Sequence, residues 1–313
     1  MRYNTYANYL KEKYGERVYK LPVNLPGTCP NRDGCVGVGG CTFCGEEGAA
    51  FENLPNTLSV GEQLRQNMAY IGKKYKAKKY IAYFQNYSNT YMPPEQFRAY
   101  IQEAAMNGVV EVAVSTRPDC ISREYLEILK EFSERHAIAV SVELGLQTAN
   151  YHTLERLNRG HTLAEFIDAV MQIKPYGFSV CAHLILNLPW DDRTDLVETA
   201  KILSALRVEQ VKLHCLYILK GTPLAQQYEC GEIDMGSYYD YVETVITFLE
   251  YLHPDIVVQR LIGRAREDDA LFANYGTSWW KIKDSIDAQM DLLDTRQGAR
   301  CDYLGGRAVR RFL

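Results

Sequence analysis

Long apolar segments are missing from this chain of 313 residues. No apolar run approaches the roughly 18 residues that a membrane-spanning helix needs. The first twenty residues, MRYNTYANYLKEKYGERVYK, also have no apolar core of the kind found in secretory signal peptides. We therefore expect a cytoplasmic protein without a membrane partner, in which the nine cysteines are thiols rather than a disulfide framework.

Internal repeats, low-complexity tracts and Pro/Gly-rich linkers are missing as well. The composition is 47% hydrophobic and 24% charged, which is ordinary for a globular protein and excludes a disordered or fibrous chain. At roughly 100–200 residues per domain, the length allows one large domain or two small ones.

A strong excess of one charge is the next absence. The 35 basic and 39 acidic residues give a net charge of −4, so general adhesion to nucleic acid is not expected. Two segments are nevertheless basic, and each is either a contact surface for RNA or a solvated helix end or chain end. They contain Lys73, Lys74, Lys76, Lys78 and Lys79 in the first, and Arg296, Arg300, Arg307, Arg310 and Arg311 in the second.

Strand-like and helix-like segments alternate through the middle of the chain. Strands are predicted at 17–21, 80–85, 109–115, 137–145, 178–186 and 210–219, and helices at 93–106, 122–135, 162–173, 193–206 and 237–251. Such alternation predicts a parallel sheet with crossover helices. Six units are fewer than the eight of a closed barrel. We expect an α/β fold, a partial (β/α)6 TIM-like barrel over residues 1–231, followed by a helical C-terminal extension with a basic tail over residues 232–313.

A glycine-rich segment after the first strand, GTCPNRDGCVGVGGCTFCG, is the most informative part of the sequence. It contains Cys29, Cys35, Cys41 and Cys44. The segment is predicted to lie at the carboxyl end of the sheet, where such folds bind ligands. Thiolates suit zinc or iron–sulfur clusters, and glycines let the backbone bend around a metal.

Three kinds of site remain open on spacing alone. A structural zinc site uses four thiols but usually shows two close pairs, and only Cys41 and Cys44 form a C-x-x-C pair. A thioredoxin-like redox pair would not need Cys29. A four-iron cluster held by three cysteines would leave one iron open for a ligand.

The cysteine spacing resembles the radical S-adenosylmethionine (SAM) superfamily, and in particular its Elongator-catalytic-subunit-like branch. The usual C-x3-C-x2-C signature has the form Cys29-x11-Cys41-x2-Cys44 in this chain, and further motifs follow in the order of the family. They are YFQNYSNTYMP at 83–93, STRPD at 115–119, ELGLQ at 143–147, NRGHT at 158–162, HLILNLP at 183–189 and KGTPL at 220–224. Together with the cysteine loop they cover roughly residues 15–230.

The resemblance implies a radical SAM enzyme with a [4Fe-4S] cluster and S-adenosylmethionine as cofactors, and an electron donor such as flavodoxin or ferredoxin. It implies Cys29, Cys41 and Cys44 as cluster ligands. It also implies that Arg159 meets the methionine carboxylate through a bidentate fork. The other implied SAM contacts are Gln85 and Asn86 at the amino group, with Ser115, Arg117, Glu143 and Gln147 at the ribose or methionine.

Several residues depart from this pattern or fall outside it. Cys35 is a fourth thiol inside the loop, and as a fourth ligand it would block SAM. Asn187 occupies a position where the family usually has glycine, and asparagine tolerates a left-handed φ. His183 and His214 are expected to be satisfied core or rim residues. The five other cysteines, Cys120, Cys181, Cys215, Cys230 and Cys301, are expected to be buried structural residues.

The subfamily resemblance implies that the enzyme acts in tRNA wobble-uridine modification, converting 5-carboxymethylaminomethyl-uridine to 5-aminomethyl-uridine. The two basic segments, the N-terminal tyrosines and the pair Trp279 and Trp280 are candidate RNA contacts. Two alternatives stay open at this point. One is the same chemistry on a porphyrin-like or other small metabolite, and the other is a non-catalytic zinc-holding RNA-binding module.

Overall fold

A seven-stranded parallel sheet organises the molecule. The computed structural model describes residues 2–45, 53–263 and 268–312. The strands are β1 (Val18–Val23), β2 (Lys79–Phe84), β3 (Val109–Thr116), β4 (Ala139–Gln147), β5 (Ser179–Ile185), β6 (Gln210–His214) and, after the two-residue strand β7 (Ile218–Leu219), β8 (Val257–Arg260). The spatial order is β1-β2-β3-β4-β5-β6-β8, with every pair parallel, and the sheet curves into a half-barrel. The prediction of a partial TIM-like barrel is confirmed.

Helices link the strands of this sheet, and several of them cover its outer face. They are α1 (Tyr6–Tyr14), α2 (Val60–Tyr75), α3 (Pro94–Gln102), α4 (Arg123–His136), α5 (Tyr151–Arg156), α6 (Leu163–Ile173), α7 (Arg193–Leu206), α8 (Pro223–Glu229), α9 (Tyr238–Tyr251) and α10 (Trp279–Leu292). Apolar side chains of the strands and of the helices that cover them form one large buried core. None of the described helices is long and apolar enough to cross a membrane.

The count of six strands was one short. The seventh strand, β8, lies in the segment that was predicted to be a helical extension, and it pairs with β6. Its short sequence, VVQR, follows α9 closely and offers too little pattern to be separated from the neighbouring helices. The boundary at residue 231 stays a prediction, although the segment beyond it contributes this strand to the sheet.

Element ends differ from the prediction where backbone conformation decides them. The fourth strand begins two residues late because Ala137 ends α4 in a left-handed conformation, with φ 52°. Ser122 occupies the N-cap position of α4, but its hydroxyl donates to Glu124 instead of capping the helix. The sixth strand stops at His214, and β7 pairs in the antiparallel direction with β9 (Ala270–Phe272).

Helix α1 fills the inner side of the half-barrel at the amino end of the strands. Leu10 packs there against Ile81, Tyr83 and Ala113, with tyrosines of α1 around it. The helix contacts both edge strands, and Val258 of β8 donates a backbone hydrogen bond to Asn4 just before it. Tyr6, Tyr9 and Tyr14 are therefore partly buried in this packing, and their stacking on RNA bases stays a prediction.

Candidate functional site

The wide spacing between the first two cysteines of the loop comes from a small hairpin. A bridge joins Asp33 to Val38, and the Gly34 N–H donates to the Gly37 carbonyl at 3.1 Å. The chain then returns, because the Gly40 N–H donates to the Asn31 carbonyl at 2.7 Å. With residues 32–39 set aside as this hairpin, only Pro30, Asn31 and Gly40 separate Cys29 from Cys41. The folded loop thus restores a C-x3-C-x2-C arrangement.

The hairpin carries Cys35 away from the other thiols. Cys35 is exposed, and its backbone N–H donates to Asp33 Oδ1 at 3.1 Å. Cys41 is buried, while Cys29 and Cys44 are partly buried. The ligand set of Cys29, Cys41 and Cys44 stays a prediction, which this arrangement favours over a set that includes Cys35.

An arginine accompanies each of the three inner thiols. Their sulfur atoms accept from Arg117 Nη1 at 3.9 Å (Cys29), Arg159 Nη1 at 3.2 Å (Cys41) and Arg32 Nη2 at 3.2 Å (Cys44). Burial raises the pKa of the Cys44 thiol, and the neighbouring Cys41 raises it further, whereas Arg32 lowers it. Arg117 is also paired with Asp119 at 2.6 Å, so Arg32 and Arg159 are the cations that chiefly suit thiolates that a metal cluster would keep deprotonated.

The NRGHT segment anchors the cysteine loop. The buried Asn31 donates from Nδ2 to the Asn158 carbonyl and lies 3.6 Å from Cys41 Sγ. Asn158 returns a bond from Nδ2 to the Gly40 carbonyl at 2.8 Å. Gly160 has φ 69°, and a Cβ there would come within 2.7 Å of Val36 and 2.8 Å of Asn31 Oδ1. Glycine at this position therefore allows the two loops to approach.

Arg159 and Gln147 lie side by side over Gly145. Arg159 Nη2 donates to the Gly145 carbonyl at 2.9 Å, and a Cβ on Gly145 would lie 2.9 Å from Gln147 Nε2 and 3.1 Å from Arg159 Nη2. His161 Nε2 accepts from Arg159 Nε at 3.1 Å, and burial with the adjacent arginine lowers the pKa of His161 to about 2. Two predicted SAM contacts thus converge beside Cys41.

The loop after β2 lies against the cysteine loop. Asn86 and Tyr87 have φ of 98° and 51°, the left-handed conformation that glycine usually supplies in such turns. The Arg32 guanidinium lies 5.3 Å from the centre of the Tyr87 ring. Gln85 Nε2 donates to Asn53 at 2.5 Å and Asn86 Nδ2 to Asn24 at 3.1 Å. Both amides are engaged with the neighbouring loops, and their contact with SAM stays a prediction.

Ser115 and Glu143 lie deeper in the half-barrel, opposite each other in the strand register. Ser115 donates to Tyr83 at 2.9 Å. The fully buried Glu143 carboxylate accepts from Lys20, from Lys212 Nζ at 3.1 Å and from Gln259 Nε2 at 3.1 Å, and it lies 2.7 Å from His183 Nε2. The two lysines are the main cause that holds the pKa of Glu143 well below its usual range against the effect of burial. The predicted contacts of Ser115 and Glu143 with SAM stay predictions.

Among the described residues, Cys29, Cys41 and Cys44 are not a group whose ligand atoms all lie within 4.8 Å of one another. Zinc with thiolates at about 2.3 Å holds the sulfur atoms about 3.8 Å apart. Among the described residues, the trio whose ligand atoms all lie within 4.8 Å of one another is a different one, Glu143, Cys181 and His183, and two lysines already neutralise its carboxylate. A four-iron cluster, by contrast, distributes its ligands over separate iron atoms.

Several residues of the site were not predicted from the sequence, because a single polar residue within an apolar strand is a weak signal. Lys20 interrupts VYKLPV and Lys212 interrupts QVKLH, each at a position that the strand period turns inward. Asn31, Arg32 and His161 stood inside quoted motifs without an assigned role. His183 and His214 are indeed partnered, through Glu143 and Arg260. The five remaining cysteines were all expected to be buried, but only Cys181 and Cys215 are, while Cys120 and Cys301 are partly buried and Cys230 is exposed.

Asn187 has no left-handed backbone. Its side chain joins two loops, since Oδ1 accepts from the Leu216 N–H at 2.6 Å and Nδ2 donates to Tyr275 at 3.3 Å. The Asn187 side chain therefore links two loops, and the left-handed backbone that glycine would allow is not used at this position.

A parallel half-barrel with a three-thiol loop at the carboxyl ends of its strands defines a class of cluster-binding enzymes, and comparison with known families identifies it. The Radical SAM superfamily model matches residues 25–203, and the Radical_SAM C-terminal domain model matches residues 208–291. The chain belongs to the radical SAM superfamily. It is a radical SAM enzyme whose cofactors are a [4Fe-4S] cluster and S-adenosylmethionine, and enzymes of this kind take electrons from a reductant. The alternative of a non-catalytic zinc module is thereby wrong.

Relatives match over nearly the whole chain. The chain is 35% identical to "Uncharacterized protein YtqA" of Bacillus subtilis over 95% of its own length and 92% of that protein. It is 33% identical to "Uncharacterized protein MJ0486" of Methanocaldococcus jannaschii over 94% and 91%. A shorter match, 32% identity over 52% of this chain and 30% of the relative, is to the tRNA uridine(34) acetyltransferase of M. jannaschii.

A solved structure shares the fold. The archaeal Methanocaldococcus infernus Elp3 with an N-terminal deletion superposes with a TM-score of 0.69 at 15% identity, over 90% of this chain and 64% of that one.

Proposed function

We propose that this radical SAM enzyme acts on transfer RNA and removes the carboxymethyl group from 5-carboxymethylaminomethyl-uridine at the wobble position, leaving 5-aminomethyl-uridine. The observation that carries the chemistry is the set of Cys29, Cys41 and Cys44, each accompanied by a guanidinium, at the carboxyl end of the sheet. The likeness to the tRNA uridine(34) acetyltransferase, added to the order of the sequence motifs, supports a wobble uridine as the substrate.

In this proposal Cys29, Cys41 and Cys44 hold the cluster and Cys35 does not. Arg159 and Gln147 orient the methionine end of SAM next to Cys41, and the loop with Gln85 and Asn86 covers the same side. Once bound, the cluster and SAM supply a carbon radical that removes a hydrogen atom from the substrate. A flavodoxin or ferredoxin is the proposed source of the electron.

The reaction balances with SAM and water as co-reactants. The bond between the amine nitrogen and the carbon that bears the carboxylate loses two electrons and two protons, one from carbon and one from nitrogen, to give an imine, and water hydrolyses the imine to the amine and glyoxylate. Cleavage of SAM to methionine and 5′-deoxyadenosine would take up these two electrons and one proton, and the second proton is released. The electron from the donor would be returned when the substrate is oxidised, so the donor is not consumed. One glyoxylate should therefore form for each 5-aminomethyl-uridine.

Exposed aromatic and basic residues support an RNA partner. Trp279 and Trp280 are 41% and 50% exposed at the start of α10, which follows β9 at the carboxyl end of the sheet. A base that is flipped out of its stack toward this end can stack on such rings. Lys73, Lys74, Lys76 and Lys78 are exposed too, whereas Lys79 pairs with Glu16 at 3.4 Å.

The test uses reconstituted holoenzyme, a chemical reductant, and tRNA that carries 5-carboxymethylaminomethyl-uridine. We expect 5-aminomethyl-uridine, glyoxylate and 5′-deoxyadenosine in equal amounts. Unchanged wobble nucleosides, both in this assay and in cells from which the gene has been deleted, would rule out this substrate.

Cysteine variants test the cluster assignment separately. Cys29→Ala, Cys41→Ala and Cys44→Ala should each lose the iron–sulfur absorption and the reductive cleavage of SAM. Cys35→Ala is the matched control in the same loop and should retain both. Loss of iron from the Cys35 variant alone would show that the ligand set is different.

A further inference from the structure

The buried and partly buried side chains on the inner face of the half-barrel carry more positive than negative charge. Lys20 and Lys212 share the single carboxylate of Glu143, and Arg260 lies on β8 directly beside Lys212 in the strand register. Burial is the main cause that lowers the pKa of His183 to about 4 and that of His214 well below its usual range, so both rings are neutral. Three cations thus face one anion.

A second buried acid, Glu111, does not correct this imbalance. Glu111 lies lower on β3, where it accepts from Lys13 at 3.1 Å and from Tyr14 and Ser141. It is therefore neutralised by its own lysine. Burial raises the pKa of the Cys181 thiol and of the Tyr83 hydroxyl, so neither contributes a negative charge.

Of these three cations, Arg260 has no carboxylate partner among the described residues. Its Nη2 donates to His214 Nδ1 at 2.8 Å, a neutral acceptor. Its Nε is buried and has no hydrogen-bond partner in the part of the chain that the structure describes. The Arg260 side chain is partly buried and faces neutral groups, so the described residues leave its charge uncompensated, and an anionic ligand would be stabilised there.

The strand register places this arginine in line with the cysteine loop. Gly145, His183, Lys212 and Arg260 are successive partners across β4, β5, β6 and β8. At one end of this row, the Gly145 carbonyl accepts from Arg159, which also donates to Cys41. At about 4.8 Å per strand, Arg260 lies roughly 14 Å along the curved sheet from Gly145, on the other side of the half-barrel. This separation suits the far end of a substrate whose reacting carbon lies between them.

We propose that Arg260 and Lys212 form a subsite for the carboxylate group of the substrate. Arg260 offers the charge of its partly exposed guanidinium, and Lys212, held by Glu143 and by the Tyr83 hydroxyl at 2.8 Å, adds an ammonium. His214 positions the guanidinium. The identity of the carboxylate rests on the proposed function, in which the group removed from the uridine ends in a carboxylate.

The first experiment measures binding of two nucleosides to the holoenzyme with SAM. They are 5-carboxymethylaminomethyl-uridine and 5-aminomethyl-uridine, which differ by the carboxymethyl group. We expect the wild type to prefer the first by about 10-fold or more, Arg260→Gln to lose the preference, and Arg260→Lys to restore part of it. A general loss of structure would weaken both nucleosides and leave their ratio unchanged, and a preserved ratio in Arg260→Gln would overturn the subsite.

The second experiment does not depend on the tRNA reaction. The 15N resonance of Arg260 Nε, assigned by its loss in Arg260→Lys, is followed while acetate or inorganic phosphate is added to the holoenzyme. A shift with acetate supports a carboxylate subsite even if tRNA is not converted, in which case the proposed substrate fails and the subsite stands. A shift with phosphate alone, or with neither anion, overturns the carboxylate subsite whether or not tRNA is converted. Arg156→Gln, an exposed arginine over the Trp190 ring, is the control for nonspecific anion effects.

Discussion

At the scale of single residues, the three arginines near the thiols differ in their contacts, which the sequence motifs alone do not show. Arg32, Arg117 and Arg159 come from three different loops, and each lies beside one sulfur of the cysteine set. Arg159 also joins the Gly145 carbonyl and His161, so its guanidinium is fixed on several sides. We therefore expect the exact side chain at this position to matter for the SAM site.

Arg159→Lys should weaken SAM binding about 10- to 100-fold, because a lysine cannot form the three bonds of the guanidinium and a bond to a charged group is worth about 1.5–3 kcal/mol. Equilibrium binding of SAM to the reconstituted protein measures the effect. Arg156→Lys, three positions earlier and exposed, should bind SAM as the wild type does. Equal affinities for the two variants would contradict the role of Arg159.

Asp191 makes stability depend on pH in an unusual direction. Burial raises its pKa from 3.8 to about 6, and Asp195 and Asp192 add to the shift. Its Oδ1 is buried without a hydrogen-bond partner among the described residues. Because the folded state binds the proton more tightly than the unfolded chain, stability should fall as pH rises from about 4 to about 6 and stay lower above that.

Asp191→Asn should therefore raise the melting temperature at pH 8 by about 2–4 °C and change it little at pH 4. Asp192→Ala is the control with the opposite sign. The Asp192 carboxylate caps α7, and the backbone N–H groups of Asp195 and Thr194 lower its pKa, so its removal should destabilise the protein at pH 8. Calorimetry at both pH values measures the changes. No gain for Asp191→Asn at pH 8 would contradict the shift.

At the scale of elements, the functional loop is built by close approach of two segments. The hairpin 32–39 packs on the NRGHT segment through Asn31, Asn158 and Gly160. The helices that position these loops begin with capping boxes, as at Thr162 and Glu165 before α6. These local signals fix where the helices begin. The cysteine loop and the NRGHT segment then come into contact in the folded protein.

Gly160→Ala should loosen this contact, because the added Cβ would clash with Val36 and Asn31 and the backbone has φ 69°. Iron content after reconstitution should fall at least several-fold. Gly177→Ala is a matched control, with φ 73° and nothing within 4 Å of the added atom, so it carries similar backbone strain without the clash. A similar loss of iron in both variants would attribute the effect to strain alone.

At the scale of the whole molecule, both basic segments lie at the amino end of the sheet, opposite the cysteine loop. The lysines join the end of α2 to the start of β2, and the tail returns there because Arg300 donates its backbone N–H to Glu250 in the last turn of α9. Since β2 has six residues, this end is about 20 Å from the thiols. An RNA that contacts both ends must extend along the side of the half-barrel.

Changing Lys73, Lys74, Lys76 and Lys78 together to Gln should weaken tRNA binding and flatten its salt dependence. The log–log slope should decrease by roughly one for each phosphate that these lysines neutralise. Fluorescence anisotropy at several salt concentrations measures both quantities. Lys130→Gln, an exposed lysine on α4, is the single-site control. An unchanged slope in the quadruple variant would place the RNA elsewhere on the surface.

The sequence by itself determined the chemistry. Cysteine spacing and the order of motifs identified the radical SAM class, and the strand–helix alternation identified a partial barrel. These signals are local, since a C-x-x-C pair or an amphipathic helix is specified by neighbours in the chain. The seventh strand was missed for the same reason, because four residues carry too little local pattern.

Only the tertiary structure decided which side chains meet. Lys20 lies 123 positions from Glu143 in sequence, and Lys212 lies 129 positions from Tyr83, yet each pair is bonded inside the curved sheet. In the same folded structure Cys35 is exposed and the neutral His214 contacts Arg260. The basic segments lie at the opposite end of the sheet from the thiols. Strand register and curvature set these contacts, and neither can be derived from one segment alone, because both result from pairing between strands that are distant in the chain.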